Sequence, residues 1–198
     1  MSTATATSAH AHDTEERRST SVPTGRVALW WFLASEIAIF GGAVVCYLLL
    51  RMHHPEWSAE AAHTVTAAGA INTAVLLTSS LSAVLAHNAA MRGDGARAGR
   101  LLFATVGGGL IFLAVKAYEY SHEIGAGLVP SHSLFWAFYF LMTGLHALHV
   151  TGGMVAMAIV GRGASRGEHL GRVELVALYW HFVDVVWIFL FPLLYLSS

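Results

Sequence analysis

The chain has 198 residues, of which 56% are hydrophobic and 12% are charged, and its formal net charge is −1. So few charged residues cannot cover the surface of a soluble domain of this size, and the composition therefore argues against that class. The near-neutral balance of charges also gives no indication of a nucleic-acid partner.

Residues 1–25 are rich in Ser, Thr and Ala and carry scattered charges of both signs. A segment of this composition cannot bury enough apolar surface to fold alone. We therefore predict a disordered cytoplasmic tail, followed by one membrane domain at residues 26–198.

Five apolar blocks follow the tail, and each reaches the ~20 residues that a helix needs to cross a bilayer. The blocks lie at about 28–50, 67–90, 100–122, 133–160 and 172–197. Because hydrocarbon offers the backbone no hydrogen-bond partners, these lengths predict helices. The fold class is therefore all-α, a polytopic transmembrane bundle of five helices, with connections of roughly ten to sixteen residues.

Arginine is distributed unevenly between the predicted connections. Nine arginines lie before the first block or in the second and fourth connections: Arg17, Arg18, Arg26, Arg92, Arg97, Arg100, Arg162, Arg166 and Arg172. The first connection holds only Arg51, and the third connection and the C-terminus hold none. By the positive-inside rule, the N-terminus is predicted to be cytoplasmic and the C-terminus to lie outside.

Tryptophan residues also report on depth in the membrane. Trp30, Trp31 and Trp136 lie near the ends of predicted spans, where an indole ring suits the membrane boundary. Trp180 and Trp187 lie deeper and are predicted to pack between helices.

Polar side chains occur inside all five blocks. An ionisable residue at membrane depth costs about 2.5–3.5 kcal/mol, so it normally faces protein, a partner or a functional site. The set comprises Glu36 in the first block, Asn72 in the second, Lys116, Glu119 and Glu123 at the end of the third, His146 and His149 in the fourth, and Glu174, His181 and Asp184 in the fifth.

Two groups of these residues allow more than one interpretation. Lys116 and Glu119 are three residues apart and can form an ion pair on one helix face. This pair either marks a point where protons or ions enter, or stabilises helix contacts near the outer interface. Glu36 is either a protonatable group that faces a partner subunit or a lipid headgroup, or a neutral acid hydrogen-bonded within the bundle.

The histidines also allow two interpretations. Imidazole is a common ligand of metals and haem. However, His146 and His149 point about 60° apart on one helix, and no second span carries a matching pair. The alternative is that these histidines and His181 hydrogen-bond to carboxylates and backbone of neighbouring helices. The single cysteine, Cys46, lies within the first block, so the chain can form no intrachain disulfide.

Five segments, one in each predicted span, resemble subunit III of the haem–copper terminal oxidases. They read WFLASEIAIF at 31–40, INTAVLLTSS at 71–80, KAYEY at 116–120, TGLHALHVTG at 143–152 and YWHFVDVVW at 179–187. The last two segments together are highly specific. The chain departs from the family pattern at two points. Ala147 stands where many members have glycine. The chain also resembles the short bacterial form of the family, whereas longer members have seven spans.

The resemblance implies an aa3-type, proton-pumping cytochrome c oxidase in a bacterial cytoplasmic membrane, in which this chain is a core subunit without catalytic, metal-binding or cofactor-binding residues. Haem and copper belong to partner subunits, and the implied partners are subunit I as the main contact, subunit II, small subunits and phospholipid. Alternatives within the family are subunit III of a quinol oxidase and an accessory subunit of a nitric oxide reductase. Outside it, they are a membrane haem cytochrome and a small ion transporter.

The resemblance also assigns roles to residues of this chain. Glu36 corresponds to the buried carboxylate near the proton-uptake and lipid site. Glutamate rather than aspartate at this position favours an oxygen-reducing complex. An intramembrane polar network that packs the helices is implied for Asn72, Lys116, Glu119, His146, His149, Glu174, His181 and Asp184.

Overall fold

A computed structural model describes residues 24–196 of the chain. It contains α1 (Thr24–Arg51), a short α2 (Trp57–Ala61), α3 (Thr66–Met91), α4 (Gly95–Gly125), α5 (Leu134–Ser165) and α6 (Gly171–Tyr195), with no strand among the described residues. The five long helices are each long and apolar enough to cross a membrane, which confirms the predicted fold class. The orientation of the termini stays a prediction, and the predicted tail lies outside the described residues except for Thr24 and Gly25, which begin α1.

The helices are longer than the apolar blocks, so most connections are shorter than predicted. Only the first connection, residues 52–65, has the expected length, and the others occupy residues 92–94, 126–133 and 166–170. At the start of α4 the extra turn forms in polar sequence, where Asp94 caps the helix by accepting from the Arg97 N–H at 2.9 Å. Glycines with left-handed backbone follow α3, α4 and α5 at Gly93, Gly127 and Gly167, and such residues end helices readily.

Four of the long helices form a ring, and the first lies outside it. Around the ring, α3 packs against α4, α4 against α5, α5 against α6, and α6 against α3. Helix α1 packs on the outside, mainly against α6 and less against α5. Only 22% of the residues in its most apolar window are buried, compared with 44% in α6. The first helix is therefore the least enclosed span.

The two tryptophans that were predicted to pack between helices do so. Trp180 and Trp187 are fully buried, and their indole N–H groups donate to Ser79 Oγ at 3.1 Å and Thr73 Oγ1 at 3.0 Å on α3. These two bonds fix α6 against α3. Trp136 lies near the start of α5, but its ring is 0% exposed and packs edge-on against Tyr139 at 5.1 Å between ring centres, so it faces the interior of the protein. Its place near a helix end did not reveal that it faces the interior.

Helices α4 and α5 approach closely in the first turn of α4 and also one turn further along, where both carry glycine. A Cβ atom built on Gly99 would lie 2.7 Å from the backbone oxygen of Gly161, closer than real Cβ atoms come to other atoms. By contrast, a Cβ atom on Gly107 of the same helix would meet nothing within 4 Å. The close crossing therefore depends on Gly99 and not on the glycine content of α4 in general.

We expect Gly99→Ala to destabilise the bundle by about 1–3 kcal/mol, because backbone atoms of α5 must shift to admit the methyl group. The matched variant Gly107→Ala should leave the stability unchanged or raise it slightly, since alanine favours helix by up to ~1 kcal/mol. Thermal unfolding in detergent measures both. Equal midpoints for the two variants would show that the α4–α5 crossing is not tight.

Candidate functional site

A cluster of polar side chains is buried where α4, α5 and α6 meet, and we call it the lysine cluster. It consists of Lys116, Glu119 and Glu123 from α4, Tyr139 from α5 and Tyr195 from α6. The Lys116 ammonium donates to Glu119 Oε2 at 3.0 Å, to the Tyr139 hydroxyl at 2.8 Å and to the Tyr195 hydroxyl at 2.6 Å. All three of its N–H bonds are therefore used, and they connect three helices.

The environment of this lysine compensates for its burial. Lys116 is only 2% exposed and Glu119 is 0% exposed, so water screens neither charge. The ammonium also lies 4.5 Å from the ring centre of Tyr139 and 4.9 Å from that of Tyr120, within cation–π range. The two partners expected from their spacing do form an ion pair, but it lies inside the protein rather than at an exposed boundary.

A second polar pair joins α1 to α5. His149 Nδ1 lies 2.8 Å from the Leu145 carbonyl oxygen, and Nε2 lies 2.9 Å from Glu36 Oε2. A carbonyl oxygen can only accept, so Nδ1 carries a hydrogen. The Nε2 contact therefore needs one further proton, held by either the imidazole or the carboxyl group. Whichever atom holds it, the pair is electrically neutral overall, which suits the 8% exposure of Glu36.

Two other predicted residues contact partners on different helices. Glu174 near the start of α6 forms an ion pair with Arg26 of α1. His181 lies in the middle of α6, where its Nδ1 is 2.7 Å from Ser80 Oγ of α3. These contacts join α6 to α1 and to α3.

Two of the remaining predicted residues, Asn72 and His146, have both side-chain polar atoms buried and without a hydrogen-bond partner within residues 24–196. Asp184 is also buried, and the hydroxyl group of Ser80 on α3 is the hydrogen-bonding group that faces it. His146 lies between the rings of Phe112 and Trp187, at 5.4 Å and 5.2 Å between ring centres. The hydrogen bonds expected for His146 are thus not formed, because aromatic side chains occupy its surroundings.

The described residues contain no group of three or more His, Cys, Asp and Glu side chains that could hold a metal ion. The two histidines of α5 lie in different surroundings, as their spacing predicts. His149 faces Glu36 of α1, whereas His146 faces Phe112 of α4 and Trp187 of α6. The arrangement consists of separate polar contacts between helices rather than one continuous network.

Sequence reasoning did not identify the phenols and the arginine that complete these contacts. Tyr139 and Tyr195 lie in apolar runs, where a tyrosine is usually interpreted as a packing residue. Tyr139 lies in the second turn of α5 and Tyr195 is the last residue of α6, and a tyrosine near the end of a span is common enough that neither position is distinctive. Arg26 was counted only for orientation, since its partner Glu174 is 148 residues away.

Comparison with known proteins adds an independent line of evidence. The model of the family described as cytochrome c oxidase subunit III matches residues 19–198. Cytochrome c oxidase subunit 3 of Thermostichus vulcanus is 35% identical over 196 residues, which cover 96% of this chain and 92% of that protein.

Two further relatives differ in the complex named. A protein of Pseudomonas aeruginosa described as cytochrome bo(3) ubiquinol oxidase subunit 3 is 30% identical, over 85% of this chain and 83% of its own length. A protein of Aeropyrum pernix described as haem–copper oxidase subunit I+III is 33% identical over 86% of this chain, which corresponds to 22% of that longer protein.

Proposed function

The chain belongs to the cytochrome c oxidase subunit III family, and from this premise we propose that it serves an aa3-type, proton-pumping cytochrome c oxidase. In that complex, electrons from cytochrome c reduce O₂ to water in aerobic respiration. The similarity to a cytochrome c oxidase subunit along nearly the whole chain carries the proposal. The quinol oxidase subunit that matches at 30% identity makes a quinol the alternative electron donor.

In this proposal the chain carries out no redox chemistry itself. Haem and copper are held by partner subunits, in the cytoplasmic membrane of a bacterium. The polar side chains inside the bundle support this division, because the charged ones bind each other rather than converging on an open site. The chain then acts by supporting the partner that holds the metals.

We propose subunit I as the main partner, with subunit II and small subunits as further neighbours. The Aeropyrum pernix relative supports this, since that protein is named as subunit I+III and thus joins both subunit names in one chain. His181 adds a physical argument. It lies about 15 Å from the start of α6, and its Nε2 has no partner among the described residues.

The surroundings of His181 make a protein partner more favourable than lipid. Ile188, two turns further along the same side of α6, is 45% exposed, so the histidine is half-buried on an otherwise apolar surface. Hydrocarbon cannot hydrogen-bond an imidazole nitrogen at this depth. A polar group from a neighbouring transmembrane helix can, and this supports a protein partner on this side of α6.

The surface between α1 and α6 is evidence for the proposed binding of a phospholipid. A pocket of about 440 Å³ between the first turns of the two helices is lined by Arg26, Glu174, His169 and Arg172. Arg26 is paired with Glu174, so Arg172 is the cation that suits an anionic headgroup. Further along the same two helices, an apolar groove of about 270 Å³ is lined by Phe40 and Phe189 among others. The basic and apolar parts follow one another as the headgroup and acyl chain of a lipid do.

The function of Glu36 in this proposal is to support proton uptake and lipid binding from the α1–α5 contact. Glu36 and His149 hold one proton between them, so the pair can change which atom carries it without changing its net charge. Its position on the least enclosed helix also brings it near the α1–α6 groove, where Ile37 is a lining residue.

The central test of this proposal is co-purification from the native membrane in mild detergent. We expect an affinity-tagged chain to recover a complex that shows haem absorbance, contains a subunit I polypeptide and oxidises reduced cytochrome c. The same chain separated from its partners in strong detergent should be colourless. Haem absorbance from the isolated chain, or recovery of a nitric oxide reductase, would contradict the proposal, and oxidation of quinol alone would select the alternative donor.

The proposed role of Glu36 predicts that Glu36→Gln leaves assembly intact, because an amide can still donate to His149. The variant complex should lose activity sooner during sustained turnover and retain less phospholipid than the wild type. Ser35→Ala is the matched control, since the Ser35 hydroxyl bonds only to the Phe32 carbonyl within its own helix. Equal endurance and equal lipid content in the Glu36 variant and the wild type would exclude this role.

A further inference from the structure

The hydroxyl group of Tyr139 faces two carboxyl groups at once. Its oxygen lies 2.8 Å from Glu119 Oε1 and 2.7 Å from Glu123 Oε1. Both distances are those of strong hydrogen bonds. The same oxygen also accepts a hydrogen bond from Lys116 Nζ at 2.8 Å, and the ammonium group has no capacity to accept one in return.

The number of hydrogen atoms limits what these contacts can be. A phenol has one hydrogen, so Tyr139 can make a full hydrogen bond to only one of the two carboxyl oxygens. The other short contact joins two oxygen atoms, and without a hydrogen between them they would repel. Sharing the one phenol hydrogen between both oxygens would leave each bond weak, and the Tyr195 hydroxyl, 3.1 Å from the Tyr139 oxygen, adds no hydrogen to either carboxyl contact. A proton on one of the two carboxyl groups, donated to Tyr139, gives each short contact its own hydrogen.

The surroundings indicate which carboxyl group is protonated. Glu119 also binds the Lys116 ammonium through Oε2 at 3.0 Å, and that contact favours the ionised form of Glu119. Glu123 Oε2, by contrast, is buried and has no hydrogen-bond partner in the described part of the chain. An unpartnered oxygen costs more on a buried carboxylate than on a neutral acid. The proton is therefore assigned to Glu123.

The charges of the cluster agree with this assignment. With Glu123 protonated, one ammonium faces one carboxylate and the cluster is neutral, whereas two carboxylates would leave a net negative charge in a buried site. The titratable groups of all three helices that face Glu123 are Lys116, Glu119 and Tyr120 from α4, Tyr139 from α5 and Tyr195 from α6. Lys116 supplies the one cation in this set.

We propose that Glu123 is a proton-binding site of the bundle, which holds its proton against Tyr139 in the folded chain. Glu123 lies two residues before the end of α4, so the short connection at residues 126–133 is the nearest route by which that proton exchanges with water. On the other side, the Lys116 ammonium repels an incoming proton. The site therefore stores a proton at one end of the bundle and does not pass it across. This inference uses contacts within the chain alone and does not rest on the proposed function.

Infrared difference spectroscopy of the purified full chain tests the assignment. Subtracting the spectrum of Glu123→Gln from that of the wild type should reveal a carboxylic-acid C=O band that shifts in D₂O. Glu168→Gln is the matched control, because this exposed glutamate should contribute only carboxylate bands. A Glu123→Gln difference that shows carboxylate bands and no acid band would overturn the proposal.

A second variant keeps the test decisive if Glu123→Gln does not fold. Tyr139→Phe removes the acceptor while Glu123 remains, so the acid band should move to higher frequency as its hydrogen bond is lost. A Tyr139→Phe spectrum in which no acid band moves would equally contradict the assignment.

Discussion

Charge inside a membrane must be neutralised by the protein, since hydrocarbon cannot solvate it. In this chain most of the neutralising contacts join different helices. Lys116 of α4 donates to α5 and α6 as well as to its own helix, and Glu36 of α1 faces His149 of α5. Arg26 of α1 also pairs with Glu174 of α6, but these two side chains are partly exposed at the starts of their helices. The side chains that would be most costly to expose therefore also determine which helices pack together.

Helix α1 depends on these contacts more than the others do. Beyond its two ionic contacts, it is held by Tyr47, whose hydroxyl donates to the Leu193 carbonyl at 3.3 Å and whose ring packs against Trp57. Much of its remaining surface is exposed, including Trp31 at 76%. A helix attached in this way leaves room along its sides for lipid and for another subunit, which is the role that the proposed function gives it.

The sequence was sufficient for the five spans, because hydropathy and length alone determine whether a helix can cross a bilayer. Contacts within one helix were also accessible, as with Lys116 and Glu119 three residues apart. Contacts between helices were not: Glu36 and His149 are separated by 113 residues, and nothing local relates them. The inward position of Trp136 was missed for a related reason. In a helix that is apolar on all sides, periodicity does not show which side faces the protein.

A double-mutant cycle on Lys116 and Glu119 tests most directly whether internal neutralisation stabilises the bundle. The free energy of unfolding in detergent is measured for Lys116→Met, for Glu119→Gln and for the two substitutions together. Each single change leaves a buried partner uncompensated and should cost about 3–5 kcal/mol, whereas the combined variant should lose much less than the sum. Additive losses would contradict the account, because they would mean that the two charges are not stabilised by each other.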